Sequence, residues 1–478
     1  MIEVEFQSSG LPKLDEILNG GLVTGRVYLI TGKPGTGKTM LGMHFLEEGL
    51  QNDETVLFIH GEESQQELIT SASSVRIDIA DAEFLDLGPE SEQFDTNQPP
   101  KLVNPKELEQ EQFTEDVYTK IQEINPDRIV FDPITQFRHI SINDTQFRRQ
   151  TLAFLRFLKS EGVTVLATST PMTKRDYYHE LQSLSDSIVE LTRGEHRTVE
   201  VLKHRTVGQI EGTHGLEIRS EGLEIYPALT PQTHQQEIPD QQIPTEIDEL
   251  DALLHGGIEQ NTVTFLSGPT GIGKSSLGAQ LATRTHTPGT TVAYLFEESI
   301  QSFTTRTESL GIPITELQQD GKLVVKAIEP LAHSANEFAS IVQQDVSEHS
   351  VDTVLIDGID GYTMALQGGK KQLLTKLHSL TRYLTNNNLT VFVTDEISNV
   401  TGISSATSVD ASYIADNIIA LNYVENESEI RRIIAVLKKR TGTFESTFRE
   451  FELTADGIQV SEPLEGMTGI LQGMPQQT

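Results

Sequence analysis

The sequence predicts an α/β protein of two tandem domains, each a mainly parallel sheet flanked by helices and ending in an antiparallel extension. Three observations predict it. A glycine-rich loop of one design occurs twice, in "YLITGKPGTGKTML" at 28–41 and "TFLSGPTGIGKSSL" at 264–277. The segments around both loops recur in the same order. Within each copy, short apolar strands alternate with amphipathic helical patterns such as "FRRQTLAFLRFLKSEG" and "KKQLLTKLHSLTRYLTNNN", which is the signature of a parallel sheet wrapped by helices.

The recurrence is a duplication. Leu14-Asp15 and Gly20-Gly21 precede the first loop; Leu250-Asp251 and Gly256-Gly257 precede the second at the same distance. After each loop come strands ending in paired glutamates, "VLFIHGEES" and "VAYLFEES", then strands ending in aspartate, "RIVFDP" and "TVLIDG". "VTVLATS" and "LTVFVTD" follow, and "VEVLKHRTVG" faces "IAVLKKRTGT" late in each copy. A period of this length is far beyond a solenoid repeat. The stretch "LTPQTHQQEIPDQQIPTE" reads as a linker, giving domains 1–235 and 236–478. The first copy carries extra polar sequence at 88–113, expected to be a surface loop without a catalytic role.

Composition narrows the class. The 478 residues are 36% hydrophobic and contain no cysteine, which excludes disulfides, thiol catalysis and cysteine metal sites. No apolar run approaches the ~20 residues of a membrane helix, and the N-terminal stretch has no signal-peptide pattern, so a cytoplasmic protein with no membrane partner is expected. Against 36 Lys+Arg stand 70 Asp+Glu, a net charge of −34 spread along the chain. Such a charge repels nucleic acid at long range. It fits either an acidic partner-binding surface or a protein working in molar salt, where screening acts within about 3 Å. The even spread favours the second, so the expected source is a halophilic archaeon.

The motifs carry chemistry. Gly32 to Thr39 and Gly268 to Ser275 fit G-x-x-x-x-G-K-[ST]. Gly32, Gly35, Thr36 and Gly37, and Gly268, Gly271, Ile272 and Gly273, form loops whose backbone N–H groups turn inward around phosphate oxygens. Lys38 and Lys274 reach the phosphates, and Thr39 and Ser275 offer hydroxyls to Mg²⁺. The following helix adds its positive end. Nucleotide binding is expected at both loops. Asp132 and Asp357, at strand ends, are the second magnesium-holding element. Glu62-Glu63 and Glu297-Glu298 stand at the carboxyl ends of their strands, where such sheets keep their sites. There a carboxylate can take a proton from a water or hydroxyl attacking the γ-phosphate, with the first glutamate of each pair the expected base. Lys203 and Arg205, and Lys438 and Arg440, share one strand face and are candidate cations for γ-phosphate charge, against the plainer reading of an exposed basic edge strand.

Together these motifs resemble the KaiC-type ATPases, the family of the cyanobacterial clock protein. The resemblance spans nearly the whole chain through "GKPGTGKT", "HGEES", "VLKHRTVG", "GPTGIGKS", "LFEES" and "VLKKRTGT". It implies two RecA-like P-loop NTPase domains, ATP and Mg²⁺ as ligands, and a homo-hexameric ring with ATP between neighbouring subunits. It also implies that Lys203, Arg205, Lys438 and Arg440 act on the neighbour's nucleotide, joined by Glu221 and Asp456 in the turns "IRSEG" and "LTADG". In the family's clock protein the second domain phosphorylates itself on a Ser-Thr pair; the matching place here reads Ser412-Tyr413, with Thr407 shortly before. Serine/threonine autokinase activity at Ser412 or Thr407 follows as an expectation, with Tyr413 a further candidate acceptor. The first domain has Gln182-Ser183 there, which suits plain ATP hydrolysis. The implied role is a signalling switch with a regulatory protein partner that the sequence does not identify.

Two readings compete. A DNA-binding recombinase- or helicase-like motor shares the core fold and would need basic channel loops. The candidates are 137–149 and 171–180 in the first copy and 361–371 and 398–408 in the second; the last has no basic residue. A scaffold that merely holds nucleotide would have shed motif residues from one copy, and neither copy has.

Overall fold

In the computed structural model the chain forms two compact units, Met1–Ala228 and Leu229–Thr478. The described residues are 4–87, 117–136, 144–170, 182–194, 196–229, 241–284, 289–329, 331–366, 369–397, 407, 411–426, 429–464, 467–468, 470 and 476–477. The insertion at 88–113, most of the linker and most of the candidate channel loops lie outside them.

In the first unit the two-residue strands β1 (Phe6–Gln7) and β2 (Leu22–Val23) pair with each other and flank the helix α1 (Pro12–Ile17). The main sheet holds β3 (Val27–Gly32), β4 (Val56–His60), β5 (Glu83–Asp86), β6 (Arg128–Asp132), β7 (Thr164–Ser169), β8 (Ser187–Arg193), β9 (Arg197–His204), β10 (His214–Arg219) and β11 (Gly222–Tyr226). Their order is β11-β10-β9-β8-β3-β7-β6-β4-β5. The pairings from β5 to β8 are parallel and those from β8 to β11 antiparallel.

The second unit repeats this. A short pair, β12 (Gln242–Ile243) and β13 (Ile258–Glu259), precedes β14 (Val263–Gly268), β15 (Thr290–Leu295), β16 (Leu323–Ala327), β17 (Val351–Asp357), β18 (Thr390–Glu396), β19 (Asn417–Asn426), β20 (Glu429–Lys439), β21 (Arg449–Thr454) and β22 (Gly457–Pro463). Its order, β16-β15-β17-β18-β14-β19-β20-β21-β22, matches the first strand for strand. These are two RecA-like α/β domains, each mainly parallel with an antiparallel end.

Both faces of each sheet are covered, so the central strands are apolar throughout rather than alternating. In β3, Tyr28 and Ile30 pack on one face, among Leu41, Phe45 and Val130, and Val27 and Leu29 on the other, among Phe131, Phe154 and Val165. In β14, Val263 and Phe265 join Phe338, Leu377 and Val391, while Leu266 joins Leu277, Leu355 and Phe392. The loop-bearing strand is thereby fixed at the centre of each sheet.

Candidate nucleotide site

Each phosphate loop leaves its central strand and enters a helix that starts at the loop lysine: α2 (Lys38–Gln51) in the first domain, and Lys274–Arg284 in the second. Gly37 and Gly273 precede these lysines with φ of 105° and 116°, a region that costs glycine little and other residues much. The lysines bend back on the loop. Lys38 Nζ donates to the carbonyls of Gly32 at 2.8 Å and Lys33 at 3.2 Å, and Lys274 Nζ to that of Pro269 at 2.9 Å. Burial draws both ammonium groups below the ordinary lysine value; Asp132 and Glu62 oppose this at Lys38, and Glu396, Glu297, Asp357 and Asp395 at Lys274. Thr39 follows Lys38 at the helix start. Thr36 Oγ1 braces the first loop on the Lys33 carbonyl at 2.9 Å, and Ile272 plugs the second, fully buried.

Asp132 and Asp357 end β6 and β17, and each accepts a threonine hydroxyl from the next strand: Thr168 for Asp132, and Thr394 for Asp357 at 2.7 Å. Ser275 also hydrogen-bonds Asp357. Burial pushes the Asp357 carboxyl up, against the hydrogen bonds of Thr394 and Ser275 and the charge of Arg306. A buried carboxyl beside a serine hydroxyl is a hard, all-oxygen donor set suited to Mg²⁺, whose charge would offset the burial penalty.

The glutamate pairs occupy the turn from strand to helix. Ser64 caps α3 (Gln65–Ser74) through a capping box with Glu67, and Ser299 caps the helix Ile300–Glu308 by accepting from the Ser302 amide. The E-E-S run is therefore a strand end, two carboxylates and a helix cap. Glu297 Oε1 accepts the Gly361 amide at 3.1 Å. Gly358 follows Asp357 at φ 101°, and a Cβ there would meet Glu297 Oε1 at 2.7 Å, so glycine admits the glutamate. Burial raises the Glu297 carboxyl, the Gly361 amide opposes it, and Asp357 and Glu396 add to it. In the first domain burial, then Asp132, Glu67 and Glu62, raise Glu63. A cavity of about 400 Å³ in the second domain is lined by Gly271, Gly273, Lys274, Ser275, Glu297 and Arg306 among others, so the loop lysine, the serine after it and the Glu297 carboxyl group meet at one opening.

The K-x-R residues lie elsewhere in the chain. Lys203 Nζ donates to the Gln182 and Ser185 carbonyls at 2.8 and 2.6 Å, and Lys438 Nζ to those of Ser412 and Ala415 at 2.8 and 2.6 Å. Arg440 pairs with Asp416 at 2.9 Å, while Arg205 is exposed. Glu221 pairs with Arg76 at 2.6 Å on the surface, and Asp456 sits in an exposed turn. Ser412 and Tyr413 are exposed, Tyr413 edge-on to His378 at 5.2 Å between centroids, and Thr407 is buried.

Sequence reasoning missed Thr168, Thr394, Arg306, Ser276 and Glu396. For the threonines a signal existed: each stands at the same place in the duplicated strands "VTVLATS" and "LTVFVTD". Among the described residues no helix is long and apolar enough to cross a membrane.

The model of the family described as "ATPase: KaiC" matches residues 7–230 and again 243–465. The circadian clock oscillator protein KaiC of Parathermosynechococcus lividus is 25% identical, covering 98% of this chain and 88% of that protein. The one from Picosynechococcus sp. is 26% identical over 97% and 90%. Circadian clock protein KaiC3 of Synechocystis sp. is 25% identical over 99% and 95%. With two family domains spanning nearly its whole length and the P-loop geometry present in both, the chain belongs to the KaiC ATPase family.

Proposed function

We propose that the chain binds and hydrolyses ATP with Mg²⁺ at both P-loop sites and acts as a regulatory ring, a homo-hexamer whose nucleotide state sets the binding of a protein partner. One observation carries the hydrolytic reading: Glu297 shares its cavity with Lys274 and Ser275, next to Asp357. In this reading Glu297, and Glu62 in the first domain, accept a proton from a water whose oxygen bonds to the γ-phosphorus as the bond to the ADP oxygen breaks. Lys274 and Lys38 release their loop carbonyls and turn to the phosphates. Thr39 with Asp132, and Ser275 with Asp357, hold the metal, which supplies charge neutralisation on the phosphates. Lys203, Arg205, Lys438, Arg440, Glu221 and Asp456 face a neighbour's nucleotide in the assembled ring, the K-x-R lysines leaving their own carbonyls.

The second domain also transfers the γ-phosphoryl group to its own chain. Ser412 is the favoured acceptor: its hydroxyl is exposed and Lys438 anchors its backbone, whereas Thr407 is buried; Tyr413 is the other exposed hydroxyl. The charge of −34 suits a halophile's cytoplasm and disfavours nucleic acid as partner. The test uses γ-labelled ATP and Mg²⁺ in molar KCl, with free phosphate and protein-bound label read from one tube. Label that maps to Ser412 and vanishes in Glu297→Gln supports the autokinase. Free phosphate without bound label removes that part and leaves the ATPase.

A further inference from the structure

The two glutamate turns are held by different locks. In the first domain His60, at the end of β4, places Nδ1 2.9 Å from the Glu63 carbonyl; its counterpart in the second is Leu295, as the pairings of His60 with Asp132 and Leu295 with Asp357 fix. The second domain uses an arginine instead. Arg306, on the helix Ile300–Glu308, forms an ion pair with Glu298, whose other oxygen accepts the Ser302 hydroxyl at 3.1 Å. Its second arm donates to Ser276 Oγ at 2.8 Å, directly after Ser275, and its guanidinium lies 5.5 Å from the centre of the Phe303 ring. Counted from Ser64 and Lys38, the first domain has Ser71 in place of Arg306 and Met40 in place of Ser276. Arg306 and its acceptor Ser276 are thus present in one copy and absent from the other, while Glu298 has its counterpart in Glu63.

We propose that Arg306 is a positioning residue of the second site: its fork ties the turn bearing Glu297 and Glu298 to the start of the helix bearing Lys274 and Ser275, and so fixes the base against the phosphate loop. The planar fork suits two acceptors at once, which a lysine cannot match. With Glu298 engaged by Arg306, proton transfer falls to Glu297 alone. The first site, built without this bridge, is tuned separately. The inference rests on the hydrolytic reading of the second site.

The test uses the full chain with Glu62→Gln to silence the first site, and measures kcat and KM for ATP hydrolysis and the affinity for a non-hydrolysable ATP analogue. Arg306→Ser is expected to lower kcat about tenfold with KM and analogue affinity within about twofold, as misplacement of a reacting group does. Arg306→Lys recovers part of the loss. In a Glu298→Gln background, Arg306→Ser adds less than about threefold, because both act through one contact. If Arg306→Ser does not fold, Arg306→Lys and Ser276→Ala carry the same comparison. A rise in KM with kcat intact, full multiplication of the two losses, or no change overturns the inference while leaving hydrolysis standing. Absence of phosphate release from the Glu62→Gln chain before any change at Arg306 overturns the hydrolytic reading of this site and the inference with it.

Discussion

His44 Nε2 accepts the amide hydrogen of Leu223 at 2.9 Å, and at the equivalent place in the second domain Gln280 Oε1 accepts that of Ile458 at 2.8 Å. Each bond latches the P-loop helix to the turn before the last strand, which carries Glu221 in one copy and Asp456 in the other. The glycines at these turns, Gly222 and Gly457, have φ of 95° and 101°, and a Cβ on Gly222 would stand 2.2 Å from His44 Nε2. The same latch is built once from a titratable group and once from an amide.

That difference predicts acid sensitivity of the first domain alone. Accepting at Nε2 requires a neutral imidazole, and burial lowers the His44 pKa to about 4. The unfolded chain protonates near 6.5, so below that pH it binds a proton the folded state does not. Stability is lost as pH falls from about 6.5 to about 4, by up to about 3 kcal/mol. Thermal melts of wild type and His44→Gln over this range should diverge, with the variant losing less. Parallel pH dependence of the two would show that the imidazole is not the titrating latch.

Thr394 Oγ1 donates to Asp357 and accepts the Gly358 amide, each at 2.7 Å. Thr394→Val keeps the shape, leaves the buried Gly358 amide without its acceptor and takes one hydrogen bond from Asp357, at about 1–3 kcal/mol. The second domain should melt earlier, and its phosphate release should fall more than that of the first domain. Thr168→Val, acting on Asp132, should do the reverse.

The pH profile of the second site should be displaced. A base must be ionised to accept a proton, and burial raises the Glu297 carboxyl above its ordinary range. Raising that pKa moves the acid limb of kcat/KM to higher pH than a free glutamate gives. The limb should disappear with the activity in Glu297→Gln, measured with the first site silenced. A limb at the ordinary glutamate position would assign the base elsewhere.

Lys438 is predicted to order the acceptor segment. Lys438→Ala removes the hydrogen bonds of its ammonium group to the Ser412 and Ala415 carbonyls, so amide exchange at 412–416 should quicken by about tenfold or more, each bond being worth about 1 kcal/mol. Exchange in β14 should stay slow.

Much of the site was legible because the chemistry is local and written twice. A loop of eight residues, a strand-end aspartate and an E-E-S turn each carry their meaning within a few positions, and the duplication lifted them above chance. The fold followed from strands that are apolar on both faces. Contacts that depend on the sheet's lateral order were not legible. Thr168 and Asp132 lie 36 residues apart and meet only because β7 pairs with β6. Arg306 and Ser276, 30 apart, meet because the helices that follow β14 and β15 pack against each other although β17 and β18 separate those two strands. The K-x-R spacing predicted a shared strand face, yet β9 and β20 end one residue before Arg205 and Arg440, and it gave no sign of the carbonyls of Gln182, Ser185, Ser412 and Ala415 that the lysines grip. The register shift between Ile188 and Val189, and its repeat between Ile418 and Ile419, was invisible for the same reason.

In the proposed mechanism ATP is hydrolysed at two sites, through Glu62 and Glu297. Steady-state phosphate release in molar KCl with Mg²⁺ tests it most directly, for wild type, Glu62→Gln, Glu297→Gln and the double variant, with nucleotide binding measured alongside. Each single change is expected to remove one part of the rate and the double change at least about 99% of it, with binding surviving in all four. Full hydrolysis by the double variant would contradict it.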